Sequence, residues 1–339
     1  MTFMIRPAPA AGAVAAAFGL GGTVGEMVEV SGAWSNRAYR LTVGEHAYAV
    51  KEMRNPWGAA GWRDWLSEAW RFELLALEAG VRAPEPVPNP EDRTCLATVP
   101  LVDATREAFV RVHRWVGGRP ADLGPATEEL ARWSGETLAL LHGLEHRPPA
   151  RDLFPVLSFD SANRWADLVK EAESAGAPWA SLMSDVATSV QSISALAREG
   201  GTCLDDEVMT HGDVDQKNVV IGPNGPYLCD WDVAAPLVPR RELADVAMSM
   251  AAWNRRDVAR LVVSSYRAAE GHAFELAPSD LGQSMMIGLD WIVLNVQRAL
   301  RARVENDDEA ILGHRLVPAL LERLPAQVDL AMHLDEFLA

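Results

Sequence analysis

The most informative stretch of the chain reads Met209-Thr-His-Gly-Asp-Val-Asp-Gln-Lys-Asn-Val-Val-Ile221, and after a short turn it continues as Tyr227-Leu-Cys-Asp-Trp-Asp232. Apolar residues on both sides of the polar loop predict a strand before it and a strand after it. The turn Gly222-Pro-Asn-Gly225 then leads into a further strand that ends at Asp230. Two adjacent strands of this kind bring Asn218 and Asp230 together, so the sequence predicts a cluster of oxygen ligands beside the loop.

This arrangement suits phosphoryl transfer, in which a hydroxyl is held in line with a γ-phosphate while cations neutralise the developing charge. Asp213 is the candidate for orienting the hydroxyl and accepting its proton. Asn218 and Asp230 offer the hard oxygen ligands that Mg²⁺ prefers. The five-residue spacing from Asp213 to Asn218 equals that of the kinase catalytic loop, where a metal-binding Asp also follows. An ordinary hairpin with charged loops is the structural alternative.

The motif His211-Gly-Asp213-x4-Asn218, followed by an apolar strand and Asp230-Trp-Asp232, resembles the aminoglycoside phosphotransferase and choline kinase-like branch of the protein kinase fold. That branch has His-Gly-Asp where protein kinases have His-Arg-Asp. The resemblance covers most of the chain and implies an α+β, bilobal protein kinase-like fold. An N-terminal nucleotide-binding lobe, residues 1–114, has an antiparallel sheet plus a helix, and the catalytic and acceptor-binding lobe, residues 115–339, is mostly α-helical.

The same resemblance implies supporting roles for three further residues. His211 is expected to form hydrogen bonds behind the loop rather than to act as the base. Asp232, two residues beyond Asp230, projects to the same side of an extended segment and is either a second metal ligand or a partner of neighbouring backbone. Asp245, in a helix that begins at Pro239, is expected to support the loop.

Near the N-terminus, apolar and polar residues alternate over Gly25–Val30, Arg37–Val43 and His46–Met53, which predicts three strands. The loop between the first two is similar to the Ser- and Asn-containing loops with which small-molecule kinases lay backbone amides over nucleotide phosphates. Its candidate nucleotide-binding residues are Ser31, Gly32, Ser35 and Asn36. An ordinary hairpin loop is again the alternative.

The third strand ends on Lys51, and in kinases a lysine at this place contacts the α- and β-phosphates. The family pattern pairs it with a glutamate on the next helix, which the apolar periodicity places at Trp62–Ala79. Glu68 is the predicted partner and Glu73 is the alternative. A hinge between lobes is expected near Val112–Trp115, where the resemblance implies that backbone of Val112 and Arg114 binds the adenine edge.

Helical periodicity dominates the rest of the chain, with helices expected at 125–146, 160–175, 179–199, 239 onwards, 256–270, 278–304, 309–324 and up to Phe337. Asp290, Trp291 and Asn295 share one of these helices. They are candidate acceptor contacts, with a carboxylate for an ammonium and an indole for stacking. A packed core is the alternative for the same residues.

Composition limits the classes of partner. The 339 residues have a net charge of −16 and are 49% apolar, which is typical of a soluble globular protein and excludes nucleic acid as a partner. The acidic balance favours a cationic acceptor or serves solubility alone. Cys95, Cys203 and Cys229 form no disulfide or zinc pattern, so a reducing cytoplasm is expected. No window is long and apolar enough for a membrane span.

Together these features predict an ATP-dependent O-phosphotransferase, with GTP possible as donor and Mg²⁺ as cofactor. The acceptor is an alcohol group of a small cationic or polyhydroxylated molecule, and the resemblance favours an antibiotic, hence antibiotic resistance. A metabolic kinase of choline, homoserine or a sugar is the alternative, and a nucleotide-binding pseudokinase is disfavoured because every catalytic position is filled. The sequence leaves monomer and homodimer open.

Overall fold

A computed structural model of the chain describes residues 7–30, 36–54, 61–102, 105–201, 206–269, 274–304 and 307–339. The chain divides into two compact units. The first comprises Met1–Ala121, Leu144–Phe154 and Met209–Pro236, and the second comprises Asp122–Gly143, Pro155–Val208 and Leu237–Ala339. The segment with the predicted catalytic loop therefore belongs to the same unit as the N-terminal sheet. The predicted lobe boundary between residues 114 and 115 stays a prediction.

The first unit contains an antiparallel sheet in the order β1-β2-β3-β6-β4, with β5 also paired to β6. The strands run over Val24–Val30 (β1), Arg37–Val43 (β2), His46–Met53 (β3), Pro86–Val87 (β4), Ala97–Pro100 (β5) and Glu107–Arg114 (β6). The three strands predicted from alternation at the N-terminus are present, because period-two patterning gives a sheet one buried face.

The two faces of this sheet differ in chemistry. One face packs against helix α1 (Ala11–Ala17) through a cluster that includes Val14, Leu41, Val50 and Val110. Since successive side chains alternate, the opposite face presents Lys51 and its cross-strand neighbour Arg111. The sheet thus separates an apolar core from a charged surface.

Two further elements, a helix and a second small sheet, belong to the first unit. Helix α2 spans Trp62–Glu78, and the indole of Trp65 donates to the carbonyl of Ala234 at 2.8 Å. A second small sheet joins β7 (Arg119–Pro120), β9 (Val219–Gly222) and β10 (Gly225–Leu228) in the order β10-β9-β7. This sheet holds the segment that follows the catalytic loop.

The second unit is built from helices. They span Glu128–Gly143 (α3), Asp160–Asn163 (α4), Trp165–Ser174 (α5), Ala180–Asp185 (α6), Ala187–Gly200 (α7), Pro239–Met250 (α8), Arg256–Ala268 (α9), Gly282–Ala299 (α10), Asp307–Met332 (α11) and Leu334–Leu338 (α12); strands β8 (Val208–Thr210) and β11 (Ala235–Leu237) lie at its boundaries. A Cβ on Gly135 of α3 would lie 2.3 Å from the carbonyl oxygen of Val262 on α9, so glycine permits these two helices to approach closely. None of the helices in the described ranges has the length and apolar character of a membrane span.

Some predicted helix limits were wrong. The helices expected at 160–175 and 179–199 are each broken into two, at Arg164 and at Val186. Helix α11 continues past the predicted end at Leu324, although Pro318 and Pro325 lie inside it. Apolar side chains remain buried on both sides of the second proline, so tertiary packing maintains a helix that the proline rule would end.

Candidate active site

The loop after β8 places the predicted base and a metal ligand in contact. The carboxamide Nδ2 of Asn218 donates to Oδ2 of Asp213 at 2.9 Å and to its main-chain carbonyl at 2.8 Å. On the other side, Nζ of Lys217 lies 2.8 Å from Oδ1 of Asp213. The carboxylate is one-third exposed, with 34% of its side-chain surface accessible. Both oxygens are therefore held by donors while the group remains open to an incoming molecule.

His211 supports this loop from behind, as expected. Its ring is fully buried, its Nε2 lies 2.9 Å from the carbonyl of Cys229, and the amide of Asp213 donates to its Nδ1 at 3.3 Å. A neutral imidazole protonated on Nε2 satisfies both hydrogen bonds. The ring also packs edge-on against Trp231 at 4.8 Å between centroids. The histidine ties the loop to the segment that follows β10.

Asp230 lies next to Asn218 because β9 and β10 pair. The amide of Cys229 donates to the carbonyl of Asn218 at 2.8 Å, which brings the predicted two-strand ribbon together. Asp230 itself has φ +68°, in the left-handed region that non-glycine residues seldom adopt. A 3-10 turn over Trp231–Val233 follows. The prediction that Asp232 continues an extended segment was therefore wrong, since the chain turns at Asp230.

Lys51 meets both acidic residues of this turn. Its ammonium contacts Asp230 and Asp232, which lie about 180 residues later in the chain. Burial disfavours the charged lysine, but the two carboxylates outweigh it and raise its pKa above the ordinary range. Asp230 is 40% exposed and Asp232 only 9% exposed. The two carboxylates thus differ in access although they share one cation.

Behind Asp232 lie Glu73 and two basic side chains, Arg111 and His113, that the sequence analysis did not name. Arg111 contacts Asp232 through Nη1 and Glu73 through Nη2, the latter at 2.7 Å, and Nε2 of His113 lies 2.9 Å from Glu73. We call Lys51, Asp232, Arg111, Glu73 and His113 the buried charge cluster. Burial opposes ionisation of Glu73, but His113 and Arg111 outweigh it and hold its pKa below the ordinary range. The pKa of Asp232 is likewise lowered, because Lys51 and Arg111 outweigh its burial.

The predicted partnership of Lys51 with Glu68 is not formed in the structure. Glu68 contacts Arg71 three residues along the same helix, whereas Lys51 contacts the two aspartates. The alternative, Glu73, does not contact Lys51 either and instead binds Arg111. Helical spacing cannot distinguish these cases, because it orients a carboxylate without showing which cation lies opposite.

Of the predicted phosphate-binding loop, Asn36 lies inside the described residues, while Ser31, Gly32 and Ser35 lie outside them. The side-chain oxygen of Asn36 accepts from the amide of Arg54 at 3.0 Å, and its Nδ2 lies 3.5 Å from Oδ2 of Asp232. The end of this loop therefore reaches the charged face of the sheet.

A cavity of about 420 Å³ opens on the charged face of the sheet near the predicted hinge. Its lining includes Val28, Arg40 and Trp115, and the guanidinium of Arg40 lies 5.5 Å from the ring centre of Trp115. Val112 is 1% exposed in the opposite core, and its backbone pairs with β3 and β4. Arg114 turns to Glu85 and Tyr48. The predicted adenine contacts through the backbone of Val112 and Arg114 stay a prediction, and Trp115 is the residue of the predicted hinge segment that lines the cavity.

Comparison with known proteins bears on what this geometry is for. The model of the phosphotransferase enzyme family (APH) matches residues 26–279, most of the chain and all of the loop, ribbon and charge cluster just described. The chain belongs to this family. Comparison of this phosphotransferase with the curated proteins found no match.

Solved structures share the fold of the phosphotransferase. Spectinomycin phosphotransferase APH(9)-Ia, in complex with ADP and spectinomycin, has a TM-score of 0.67 at 13% identity over 89% of this chain and 92% of its own. A microcompartment-associated aminopropanol kinase gives 0.59 at 18% identity over 92% and 93%. Choline kinase LicA from Streptococcus pneumoniae gives 0.53 at 14% identity over 88% and 94%. The predicted resemblance and the α+β protein kinase-like fold are confirmed.

The remaining predicted residues of the phosphotransferase lie in the second unit. Asp245 lies half-buried on α8. Asp290 accepts a hydrogen bond from Ser161, and Trp291 lies under the guanidinium of Arg298 at 5.6 Å. Asn295 is fully buried and donates to the carbonyl of Trp291 at 2.8 Å, so the expectation that it contacts an acceptor was wrong. Its position on α10 faces the packed interior.

The side chains of the phosphotransferase can accommodate a divalent cation. Because Nδ2 of Asn218 makes both of its hydrogen bonds to Asp213, its oxygen Oδ1 is the atom suited to a cation. Asp230 binds Lys51 through Oδ1, which leaves Oδ2 as a second hard oxygen. Within the described ranges no three His, Cys, Asp or Glu side chains form a metal cluster. A divalent cation held by these two oxygens would take its remaining ligands from water or from a bound nucleotide.

Proposed function

We propose that the protein transfers the γ-phosphoryl group of ATP to a hydroxyl of a small molecule. GTP remains an alternative donor, and Mg²⁺ is the expected cation. One observation carries the proposal: Lys51 of the sheet and Asp230 of the ribbon meet directly, and Asp230 lies beside the loop in which Asn218 holds Asp213. A lysine, an asparagine and two aspartates are residue types that phosphoryl transfer uses, which supports the proposal.

The roles follow from the exposure of each group. Asp213, one-third exposed, receives the acceptor hydroxyl and takes its proton on a carboxylate oxygen. The hydroxyl oxygen of the acceptor then forms a bond to the γ-phosphorus while the bond between that phosphorus and the bridging oxygen of ADP breaks. Asn218 fixes the orientation of that carboxylate through two hydrogen bonds. Lys51 is placed to bind phosphate oxygens, and Asn218 with Asp230 would hold the cation. Bound Mg²⁺ neutralises charge on the triphosphate.

The cavity beside Trp115 is the candidate for the nucleotide base. It lies on the same face of the sheet as Lys51, since Arg40 in its wall pairs with Ala49, two residues before Lys51 on β3. Its volume of about 420 Å³ suits a small organic ligand. Ser31, Gly32, Ser35 and Asn36 stay the candidate contacts of the phosphates.

The acceptor is proposed to be cationic or polyhydroxylated, with an antibiotic as the first candidate. A protein with net charge −16 attracts a cationic molecule, and Asp290 with Trp291 offers a carboxylate and an aromatic face for an ammonium. A protein with the same fold, APH(9)-Ia, was crystallised with spectinomycin. A metabolic acceptor is the second candidate, because an aminopropanol kinase shares the fold at 18% identity.

An assay of ADP release tests the proposal. Purified protein with Mg²⁺ and either ATP or GTP is offered aminoglycosides, spectinomycin, choline, aminopropanol, homoserine and simple sugars. The expected result is acceptor-dependent ADP release, with a phosphate ester identified by mass spectrometry. Nucleotide binding without transfer to any acceptor, unchanged by Asp213→Asn, would support the pseudokinase alternative. Failure to bind either nucleotide would refute the phosphotransferase assignment for this site.

A further inference from the structure

The buried charge cluster begins with two cations placed directly opposite each other. Lys51 on β3 and Arg111 on β6 are cross-strand partners in an antiparallel pair. Like charges at such positions destabilise a sheet unless an anion lies between them. Arg111 is 1% exposed, so water does not compensate it. Asp232 contacts both cations, and it therefore holds the pair together.

This use of Asp232 bears on its chemical role. One carboxylate oxygen contacts Arg111 and the other contacts Lys51, and Asn36 also approaches the second oxygen at 3.5 Å. A divalent cation at Asp232 would therefore share this carboxylate with three donors, and Lys51 and Arg111 among them are cations that repel it. Asp230, in contrast, is 40% exposed and contacts Lys51 through one oxygen. The two aspartates of the Asp-Trp-Asp sequence thus have different surroundings, and only Asp230 has an oxygen suited to a metal.

Helix α2 enters the cluster through Glu73. This carboxylate is fully buried and binds Arg111 at 2.7 Å and His113 at 2.9 Å. An uncompensated charge at this depth would be costly, so its contact with Arg111 fixes both groups. The charges therefore form an unbroken series from the helix to the lysine: Glu73, Arg111, Asp232, Lys51.

We propose that Arg111, Asp232 and Glu73 are positioning residues for Lys51, and that α2 acts on the lysine through Arg111 and Asp232 rather than by a direct glutamate contact. Asp232 is accordingly a lysine anchor and not a metal ligand. The inference rests on the proposed function, since the positioned lysine serves to bind a nucleoside triphosphate. Glu68, whose ion pair within the described residues is with Arg71, takes no part in it.

Binding of a fluorescent ATP analogue to the full-length protein, with Mg²⁺ and with EDTA, separates the roles of the two aspartates. Asp232→Asn is expected to raise the dissociation constant about tenfold or more in both conditions, because the lysine loses its anchor. Asp230→Asn is expected to weaken binding mainly when Mg²⁺ is present. An Asp232→Asn effect that appears only with Mg²⁺ would overturn the inference, since it would identify Asp232 as a metal ligand.

Two buried glutamates on α2 provide a matched pair. Glu73→Gln is expected to raise the nucleotide dissociation constant severalfold, whereas Glu68→Gln, five residues earlier and equally isosteric, is expected to change it less than about twofold. The inference would be overturned by the reverse result. In that case Glu68→Gln would weaken nucleotide binding as much as Lys51→Met does, Glu73→Gln would bind nucleotide as tightly as the wild type, and a direct glutamate–lysine pair would be shown.

Nucleotide binding by a double variant distinguishes an effect that acts through Lys51 from a general effect on folding. The double variant Arg111→Met/Asp232→Asn is expected to bind nucleotide no more than about threefold more weakly than the worse single variant, because both act through one lysine. Compared with Arg111→Met, the variant Arg111→Lys should recover part of the nucleotide affinity because it keeps the positive charge. The recovery should be incomplete, since an ammonium does not bridge two carboxylates as the guanidinium does. Fully additive losses, with equal melting temperatures, would contradict positioning through a shared residue. A wild-type protein that binds no nucleotide would refute the proposed function itself, a distinct outcome.

Discussion

Each of the two units contains a buried polar cluster, and the two clusters differ in whether they reach solvent. In the first unit, the buried charge cluster runs from Glu73, which is fully enclosed, to Lys51, which is 19% exposed and contacts the more open Asp230. In the second unit, His142 bonds Glu242 at 2.7 Å and Tyr266 at 3.0 Å, and the histidine and tyrosine are fully buried. We call these three residues the His142 cluster.

The difference shows that chemical composition does not by itself make a site. A histidine between a carboxylate and a hydroxyl has the groups of a catalytic arrangement, yet in the His142 cluster nothing can approach it. Its hydrogen bonds serve the packing of α3, α8 and α9 around one another. The buried charge cluster has comparable groups but one open end. We expect variants near the open end of the first cluster to alter activity. Variants of the second cluster, and of the enclosed end of the first, are expected to alter stability.

The largest effect is expected for Asp213→Asn, next to the open end of the buried charge cluster. Removal of a positioned base should lower kcat by about 10² to 10⁴-fold with little change in melting temperature. Steady-state ADP release and thermal unfolding measure the two quantities. Asp257→Asn, an exposed aspartate of α9 that pairs with Arg255, is the control. If the loss of kcat in Asp213→Asn were accompanied by a large fall in melting temperature, the expected difference between the two clusters would be contradicted.

His142→Ala should show the opposite pattern. Glu242 would lose its histidine while remaining buried, which is expected to lower the free energy of unfolding by about 3 kcal/mol. Chemical denaturation measures this loss. At a temperature where the variant is folded, kcat/KM should match that of the wild type. A selective loss of kcat in a fully folded variant would mean that the His142 cluster contributes to catalysis.

Glu73→Gln tests the enclosed end of the buried charge cluster through pH. The folded pKa of Glu73 lies below its ordinary value near 4.5, so its ionised form stabilises the protein above that pH, and the stabilisation is lost as pH falls through the lower folded pKa. We expect the variant to be less stable by about 2 kcal/mol at pH 7 and the difference to shrink below pH 4.5. Melting temperatures from pH 3 to 7 measure it. If the melting temperatures of the variant and of the wild type differed by the same amount at every pH from 3 to 7, the lowered pKa of Glu73 would be contradicted.

Lys217→Met addresses the other neighbour of Asp213. Their contact is 40% exposed on the lysine side, and exposed ion pairs contribute at most about 1 kcal/mol, so activity should change less than about fivefold. Steady-state kinetics measure the change. A loss beyond about a hundredfold would instead indicate that Lys217 acts directly on the transferred phosphoryl group.

The smallest effect concerns Cys229, which lies beside Asp230 and is partly buried. Burial raises the pKa of its thiol to about 12, so at pH 8 only about one in 10⁴ of these thiols is ionised. Alkylation by iodoacetamide in the folded protein, followed by peptide mapping, should leave Cys229 unmodified until the protein unfolds. Rapid labelling of Cys229 in the folded protein would show that the thiol is more reactive than its raised pKa allows.

Much of the site was predictable because its signals are local. The spacing of Asp213 and Asn218 and the apolar strands around them predicted a ribbon, and β9 and β10 form it. The alternation that placed Lys51 on β3 was equally short in range. The roles of these residues stay predictions, but the contact of Lys51 with Asp230 and the hydrogen bond of Asn218 with Asp213 are features of the structure.

Other features depended on contacts between distant segments. Arg111 and His113 occupy alternate positions of β6, which indicates a polar face, but only the register of β6 against β3 sets Arg111 opposite Lys51. Glu68 and Glu73 both lie on the buried side of α2, and the cation that each meets depends on the packing of the helix.

The sequence by itself determined most of the strands and helices, because hydrophobic periodicity and turn residues act over a few positions. It also determined the loop with its predicted base and ligands, and the resemblance of its motifs implied the kinase-like fold. Tertiary structure alone decided which charges meet. An ion pair depends on the distance between atoms, and segments up to about 180 residues apart bring Lys51 to Asp230 and Arg111 to Asp232. Burial then determines which of these charges remain accessible to a ligand.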